Sequence, residues 1–377
     1  MIIDAHAHLL PKDYPDDAPE CFPHMEPIEG STDRLLVFGP MRFPAKEVFF
    51  EAERRLEAQD ASGVDAEVLS PMPPLLRYDL PARDGLALAR HVNEFTAELG
   101  SHAPDRLIGL GMVPMQDPDA ATAELAAIAE LGLAGVEIAS NILGSSIGDE
   151  KFLPFFQEAE KLGISVFVHA MPSPMDRLPM SAMGTYVVGI EGTFAAASMI
   201  LGGTAHACPD LRISFSHAAG GLAMMLPRAN YFWGGAWNEE PRNLDRAVMP
   251  DDGPSPLEIA RRFYYDSMVF DHRAIRYLVD LLGADRLLVG SDFPAMLRED
   301  PVARTLRSME LPDDAWQDIS WRNALRWLGR DVRSLPSDGS AIDRSPGLDE
   351  TSGGIGSGSM TTADATGVAA PYQGKIT

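Results

Sequence analysis

The chain has 377 residues, 45% of them hydrophobic, which is enough to bury the core of one large catalytic domain. Its formal net charge of −24 argues against a basic surface for nucleic acid, so any anionic substrate must be held by a few local cations. No apolar run approaches the roughly 18 to 20 residues of a membrane span, and the two cysteines, Cys21 and Cys208, give no disulfide framework and favour a reducing, cytoplasmic location.

Short apolar, β-branched runs alternate with longer helical patterns along the chain, which is typical of repeated βα units around a parallel sheet. Two helical patterns, at residues 125–133 and 155–163, end near a glycine that can terminate a helix. Eight strands are predicted, and eight is the number of a (β/α)8 barrel. They are Ile2–His6, Ala66–Ser70, Leu107–Met112, Gly135–Ala139, Ser165–His169, Arg212–His217, Phe263–Ser267 and Leu287–Ser291.

This α/β TIM barrel is expected to occupy residues 1–333 as one domain. Residues 12–50, directly after the first strand, lack clear periodicity and are predicted to be an insertion that covers the pocket on the catalytic face. A second irregular stretch, residues 230–256, is a candidate for a pocket wall or a subunit contact. Residues 334–377 are rich in Gly, Ser, Thr and Asp and are predicted to form a flexible, disordered tail without chemistry.

Two histidines stand two residues apart in the first strand, and such residues point the same way. His6 and His8 can therefore present both imidazoles to one point at the strand's C-terminal end. Lone polar residues also stand where later strands end: His169 after the fifth, His217 after the sixth and Asp292 after the eighth. The C-terminal ends of barrel strands meet at one mouth, so these five residues are predicted to form a metal-dependent active centre.

Each of these residue types suits a chemical role. Neutral imidazoles and one carboxylate favour Zn or a similar divalent ion, with one position left for water. Zn lowers the pKa of its bound water to roughly 7, so a nearby base need only relay a proton. His217 is predicted to be this general acid/base, and Asp292 is the next candidate for the proton. The predicted ligands are His6, His8, His169 and Asp292.

Six segments also resemble a known family: MIIDAHAHLLPK, RLIGLGMVPMQDPDAA, GISVFVHAMP, SFSHAAGG, RFYYDSMVFD and LLVGSDFP. In this order they resemble the amidohydrolase-related family that includes the aminocarboxymuconate semialdehyde decarboxylases, over about residues 1–330. The resemblance implies one divalent ion, usually Zn and sometimes Mn, and non-oxidative decarboxylation of an aromatic, heteroaromatic or muconate-type acid in aromatic catabolism. The alternative is a hydrolase or hydratase with the same centre. A non-catalytic scaffold is disfavoured, because a scaffold has no need of His217.

The resemblance further implies two arginines for the carboxylates of a small-molecule acid. Arg42, in the insertion, matches the first. The second, lent by a neighbouring subunit, has no clean match, since the corresponding stretch is aromatic and Arg242 comes a few residues later. Phe293 and Trp237 are instead predicted as aromatic walls of the pocket. A homodimer is expected from the resemblance and from the aromatic stretch Tyr231–Trp237.

Two further acidic residues leave alternatives open. Relatives with two metal ions carry a bridging Lys at the end of the fourth strand, where this chain has only Glu137 as an ionisable residue. One ion is therefore favoured, and Glu137 keeps open a second. Asp4 falls on the face of His6 and His8 if the strand alternates regularly. It is either a hydrogen-bond partner of the ligands or simply a polar residue at the start of the strand.

Overall fold

The chain folds into a closed barrel of parallel strands surrounded by helices. The computed structural model describes residues 1–15, 18–19, 21–173, 178–179, 182–234 and 253–331. The strands are β1 (Ile3–Leu9), β2 (His24–Pro27), β3 (Arg34–Phe38), β4 (Met41–Ala45), β5 (Ala66–Pro71), β6 (Leu107–Met112), β7 (Gly135–Ala139), β8 (Asn141–Ile142), β9 (Ser145–Ser146), β10 (Ser165–His169), β11 (Ile213–Phe215), β12 (Tyr264–Asp266) and β13 (Leu287–Leu288).

The barrel sheet has eight strands in the order β1-β5-β6-β7-β10-β11-β12-β13. The backbone closes the circle, since the Ala5 N–H donates to the Val289 carbonyl at 2.8 Å and the His8 N–H to the Phe293 carbonyl at 2.7 Å. The predicted TIM barrel is thereby confirmed. The α-helices are α1 (Ala52–Ser62), α2 (Ala82–Ser101), α3 (Pro118–Glu130), α4 (Leu153–Leu162), α5 (Val188–Leu201), α6 (Thr204–Ala207), α7 (Leu222–Trp233), α8 (Pro256–Ala260), α9 (His272–Leu282), α10 (Arg304–Arg307), α11 (Asp313–Gln317) and α12 (Asn323–Trp327).

The predicted helices at residues 125–133 and 155–163 are α3 and α4, and Gly163 ends α4 in the left-handed conformation. Three strands, β6, β7 and β10, have the predicted bounds. The sixth and eighth strands are shorter than predicted, so His217 and Asp292 lie in turns beyond them. Both residues have positive φ, 52° and 57°, which is incompatible with a continuing strand.

A β-bulge in β1 changes the direction of its side chains. Asp4 pairs with Glu67 of β5, whereas Ala7 pairs with Leu69 and His8 with Ser70, so β1 carries one extra residue between these pairs. Asp4 therefore points outward with Glu67, while His6 and His8 point into the barrel. The prediction that Asp4 shares a face with the two histidines was therefore wrong, because it assumed regular alternation along β1.

The interior of the barrel is solid below its mouth. Phe167 of β10 points inward, and its ring lies 6.0 Å from that of Trp327 in α12. The Ser165 hydroxyl donates to the Trp327 carbonyl at 2.6 Å, so α12 closes the bottom of the barrel. The His6 ring lies 4.9 Å from Phe167, which makes this apolar core the floor beneath the polar strand ends.

The insertion after β1 has more regular structure than its sequence predicts. Strands β2, β3 and β4 form a separate antiparallel sheet within residues 12–50. A short helical turn, Glu47–Phe49, then leads into α1. The described part of the insertion is therefore a small folded unit beside the barrel.

One helical run has the length of a membrane span, by residue count and mean hydropathy alone. Met183–Leu201 is a 19-residue helix of mean hydropathy 1.3, because a π-helical turn continues directly into α5. A buried acid, Glu191, lies inside this run and accepts from Asn141 at 3.0 Å. The helix packs against β10 and the turn after β11, which is the position of a barrel helix.

Candidate active site

The five predicted polar residues converge at the mouth of the barrel. The His6 and His8 Nε2 atoms are 3.2 Å apart, and the His8 Nε2 lies 3.0 Å from Asp292 Oδ1. The His169 ring centroid lies 5.0 Å from those of both His6 and His8. The His217 Nε2 lies 4.0 Å from Asp292 Oδ2. Nitrogen and oxygen atoms from four of these residues, His6, His169, His217 and Asp292, all lie within 4.8 Å of one another.

Three of the histidines are each anchored through one ring nitrogen. The His6 Nδ1 lies 2.7 Å from Asp266 Oδ2. The His8 Nδ1 lies 3.2 Å from the Pro71 carbonyl, and the His169 Nδ1 lies 3.2 Å from the Ala170 carbonyl. An N–H at Nδ1 that bonds an acceptor leaves the Nε2 lone pair free for a metal ion. All three rings therefore have the orientation of metal ligands.

His217 is held differently, by its backbone alone. Its N–H donates to Asp266 Oδ2 at 2.8 Å, and the next N–H, that of Ala218, donates to Asp266 Oδ1 at 3.0 Å. Its Nδ1 is buried and has no hydrogen-bond partner among the described residues. The backbone of His217 is therefore fixed by the turn, while neither ring nitrogen is committed to a protein hydrogen bond in the described chain.

Asp266, at the end of β12, is the residue that the sequence analysis missed. Its carboxylate contacts the His6 ring and both N–H groups of the His217 turn, so it joins a predicted ligand to the predicted acid/base. Gly290 makes room for it, since a Cβ there would lie 2.9 Å from the Asp266 Cβ and 3.0 Å from the His6 Cβ. The signal was present, because Asp266 is a lone carboxylate at a strand end like Asp292.

Burial and neighbouring charges set the protonation of the site. Burial lowers the pKa of His8, His169 and His217, so these three rings are neutral near pH 7. Burial opposes the charged form of His6 too, but the hydrogen bond to Asp266 and the charge of Asp292 raise its pKa to about 9. For Asp292, burial is outweighed by His8, His6 and His169, and its pKa is lowered.

Glu137 lies deeper in the barrel, with Oε2 3.8 Å from the His8 Nδ1. Burial raises its pKa to about 8, so its carboxyl group is mostly protonated at pH 7. A protonated carboxyl is a poor ligand for a cation, which favours one ion over two.

The donor set fits one divalent ion. Neutral imidazoles with one ionised carboxylate are typical ligands of such ions, and an ion bound by His6 would displace the proton that the raised pKa of this ring keeps at pH 7. The His169 Nε2 is buried without a hydrogen-bond partner in the described part of the chain, and a buried ring nitrogen in that state needs a partner. An ion bound at the strand ends satisfies it.

Asp266→Asn is expected to weaken the binding of the divalent ion by about 10- to 100-fold, because a neutral amide orients the His6 ring less firmly than a carboxylate. Titration of the metal-free protein with Zn²⁺ against a competing chelator measures this effect. Asp271→Asn is the matched control, since Asp271 caps α9 at an exposed position and Asn is an equally good cap. Equal affinities in the two variants would remove Asp266 from the site.

The structure does not bring the predicted substrate-binding residues Arg42 and Phe293 together at the barrel mouth. Arg42 is exposed in the β3-β4 hairpin and donates to the carbonyls of Gly39 and Met41. Phe293 forms a β-bridge with Ala7, whose side chain points away from the face that carries His6 and His8. Paired residues point the same way, so the Phe293 side chain also points away from the histidines. The Phe293 ring packs against Arg298 on the outer side of β1 and does not form the predicted wall of the pocket. Trp237 lies outside the described residues.

The barrel and its strand-end cluster together define a metal-dependent (β/α)8-barrel enzyme. The amidohydrolase family model matches residues 3–330, and the chain belongs to this family. A 2-amino-3-carboxymuconate-6-semialdehyde decarboxylase from Dictyostelium discoideum is 31% identical over 340 residues, which are 87% of this chain and 92% of the relative.

Solved structures agree with this membership. A 5-carboxyvanillate decarboxylase from Sphingomonas paucimobilis superposes with a TM-score of 0.65 at 28% identity, over 74% of this chain and 83% of that one. A 5-carboxyvanillate decarboxylase from Novosphingobium aromaticivorans, solved with manganese and 4-hydroxy-3-methoxy-5-nitrobenzoic acid, has a TM-score of 0.67 at 24% identity. It covers 75% of this chain and 82% of its own, and shows the same fold.

Proposed function

We propose that this enzyme is a metal-dependent decarboxylase that removes carbon dioxide, without oxidation, from an aromatic, heteroaromatic or muconate-type carboxylic acid. The observation that carries the proposal is the division of the four histidines: three have an anchored Nδ1, and His217 does not. The named relatives support it, since they decarboxylate a muconate semialdehyde and carboxyvanillate. Aromatic catabolism is the setting in which such acids arise.

His6, His8, His169 and Asp292 hold the divalent ion in this proposal. His217 also lies close enough to bind, and the four-residue group that includes it omits His8. We favour His8, because its Nδ1 is held by Pro71 and by the Ser70 hydroxyl at 3.1 Å, whereas the His217 ring has no such anchor in the described chain. That difference leaves His217 for proton transfer.

The reaction needs only a proton besides the substrate. When bound, the ion supplies positive charge that attracts the substrate carboxylate and stabilises negative charge on a neighbouring oxygen. His217 donates its proton to the carbon that carries the carboxylate. The bond to the carboxylate then breaks, its electron pair restores the double bond that protonation interrupted, and carbon dioxide leaves. Burial lowers the pKa of His217, so its ring is neutral at rest near pH 7, takes up a proton from the solvent for each turnover and then gives that proton up readily.

The proposed ion is Zn²⁺, which suits three imidazoles and a carboxylate, and Mn²⁺ is the alternative because a relative of the same fold was solved with manganese. Purified protein is expected to contain about one divalent ion per chain. Elemental analysis after dialysis, followed by activity of the stripped protein with each added ion, measures both number and identity. Two ions per chain, or full activity with none, would contradict this assignment.

Decarboxylation and hydration are separated by one experiment. The enzyme is incubated with a hydroxybenzoate and with a carboxyvanillate in water labelled with heavy oxygen. A carboxymuconate semialdehyde, whose aldehyde oxygen exchanges with water unaided, is scored by carbon dioxide release alone. Release of carbon dioxide with no label in the organic product supports the decarboxylase. Label in the product without carbon dioxide would replace it by the hydrolase or hydratase.

We further propose a homodimer in a reducing, cytoplasmic compartment. The dimer is supported by exposed apolar side chains on the neighbouring helices α5 and α7. The reducing compartment is supported by the two cysteines, which are both unpaired. The exposed set is Phe194, Leu201, Met224, Met225 and Tyr231. Light scattering at micromolar concentration is expected to give twice the chain mass, and Phe194→Glu with Tyr231→Glu to give the monomer. Leu143→Glu, at another exposed apolar residue, is the control, and a wild-type monomer with full activity would exclude the dimer.

The domain organisation is also part of the proposal: one catalytic domain over residues 1–333 and a tail over 334–377 that contributes no chemistry. The tail lies outside the described residues. A chain that ends at residue 333 is the direct test, since it should keep both the ion and turnover.

A further inference from the structure

Four charged side chains form a buried cluster on the outer face of β1 and β5, here called the outer charge cluster. Its members are Asp4, Glu67, Arg55 and Arg298. Arg298 Nε donates to Asp4 at 3.1 Å and its Nη2 donates to Glu67, while Arg55 Nη1 donates to Glu67 at 2.8 Å. Side-chain exposure is 6% for Arg298 and 0% for the other three, so the cluster is buried, and it pairs two guanidinium groups with two carboxyl groups.

The position of Arg298 follows from the pairing of the strands. The register of β1 against β5 sets Asp4 directly beside Glu67 on the outer face, and two adjacent buried carboxylates repel each other. Arg298 lies between them and bonds both. Its guanidinium also stacks on the Phe293 ring, 3.8 Å from the centroid, with Arg55 at 5.8 Å from the same ring.

The outer charge cluster contacts both segments that carry the proposed ligands. Asp4 accepts a hydrogen bond from the His6 N–H at 3.3 Å and another from the hydroxyl of Ser291, the residue before Asp292. Arg55 donates to the His8 carbonyl. Asp292 itself has a left-handed φ of 57°, a conformation that persists only where the surroundings hold it.

We propose that Arg298 is a positioning residue for the metal site. Through Asp4 and Phe293 it holds the turn that carries Asp292 against the strand that carries His6 and His8, and it thereby sets the affinity for the divalent ion. The inference rests on the proposed metal-dependent function. Arg298 lies on the face of β1 opposite the histidine rings, so it acts through Asp4, Phe293 and the backbone.

The test is the affinity of metal-free protein for Zn²⁺ and Mn²⁺, measured by competition with a chromophoric chelator. Arg298→Met is expected to weaken binding by about 10- to 100-fold. Arg298→Lys keeps the positive charge but lacks the planar guanidinium, and its metal affinity is expected to lie between those of the wild type and Arg298→Met. The matched control is Arg90→Met, which breaks another two-bond arginine–carboxylate pair, with Glu124, between α2 and α3.

A purely structural role predicts a different result. Arg298→Met would then lower the unfolding temperature of the metal-free protein and leave the metal affinity of the folded fraction unchanged, which overturns the proposal. If Arg298→Met does not fold, Arg298→Lys and Ser291→Ala decide in the same assay, because neither leaves Asp4 without a cation. Wild-type affinity in both overturns it as well. The readout needs no substrate, so a failed decarboxylation assay is a separate outcome.

Discussion

Replacing His217 with Ala is expected to leave the divalent ion bound and to lower turnover by about 10²- to 10⁴-fold, which is the usual contribution of a positioned proton donor. The ring has no hydrogen bond at Nδ1 among the described residues, so its removal disturbs no protein contact of that atom. The backbone bonds of residues 217 and 218 to Asp266 do not depend on the side chain. Metal analysis and a decarboxylation assay on the same preparation measure both quantities.

The matched variant is His217→Asn, because Asn tolerates the left-handed φ of 52° at this position better than Ala does. Both variants should show the same loss of turnover if proton transfer is the role of the ring. His102→Ala, at the exposed end of α2, is the control for a histidine outside the site. Metal loss from either His217 variant would make His217 a ligand, and near-normal turnover would move the proton to another donor, with Asp292 next.

Replacing His169 with Ala is expected to abolish both metal binding and activity. Its Nε2 is buried without a hydrogen-bond partner in the described residues, and in our assignment it supplies one of four ligands. Removal of one ligand opens the shell to water, and the remaining three groups hold the ion weakly. Metal content after dialysis and turnover with excess added Zn²⁺ or Mn²⁺ measure the two losses.

The informative comparison is between the two histidines. His169→Ala should lose the ion under dialysis conditions in which His217→Ala keeps it. If His169→Ala retained a full complement of metal, the ligand set would have to be rebuilt around His217 and Asp292, which also lie within 4.8 Å of His6. Because the two rings are 5.4 Å apart in the same cluster, the unfolding temperature of each metal-free variant separates a loss of folding from the loss of a ligand.

Much of the site was predictable because each functional residue interrupts an apolar strand at its C-terminal end. This holds for His169 and Asp292, and it holds equally for Asp266, which the sequence analysis left without a role. In a closed parallel barrel, all such ends meet at one mouth, so neither contacts nor distances were needed to group them. Topology alone converts a repeated local pattern into one site.

Other predictions failed for reasons of register. The opposite directions of Asp4 and His6 depend on one extra residue in β1, which is seen only in the register of β1 against β5. Phe293 was predicted to line the pocket, yet its bridge to Ala7 turns the ring toward Arg298. A single residue of shift reverses the face of every side chain that follows, and local periodicity carries no record of it.

The sequence by itself determined the barrel, the strand ends and the five residues that meet there, because these follow from apolar periodicity and from the rule that parallel strands end together. The tertiary structure decided which ring nitrogen each histidine leaves free, that Asp266 joins His6 to the His217 turn, and that Arg298 supports the site from behind. Those features depend on contacts between residues far apart in the chain. Their physical cause is the exact register and burial of neighbouring strands, which no single segment contains.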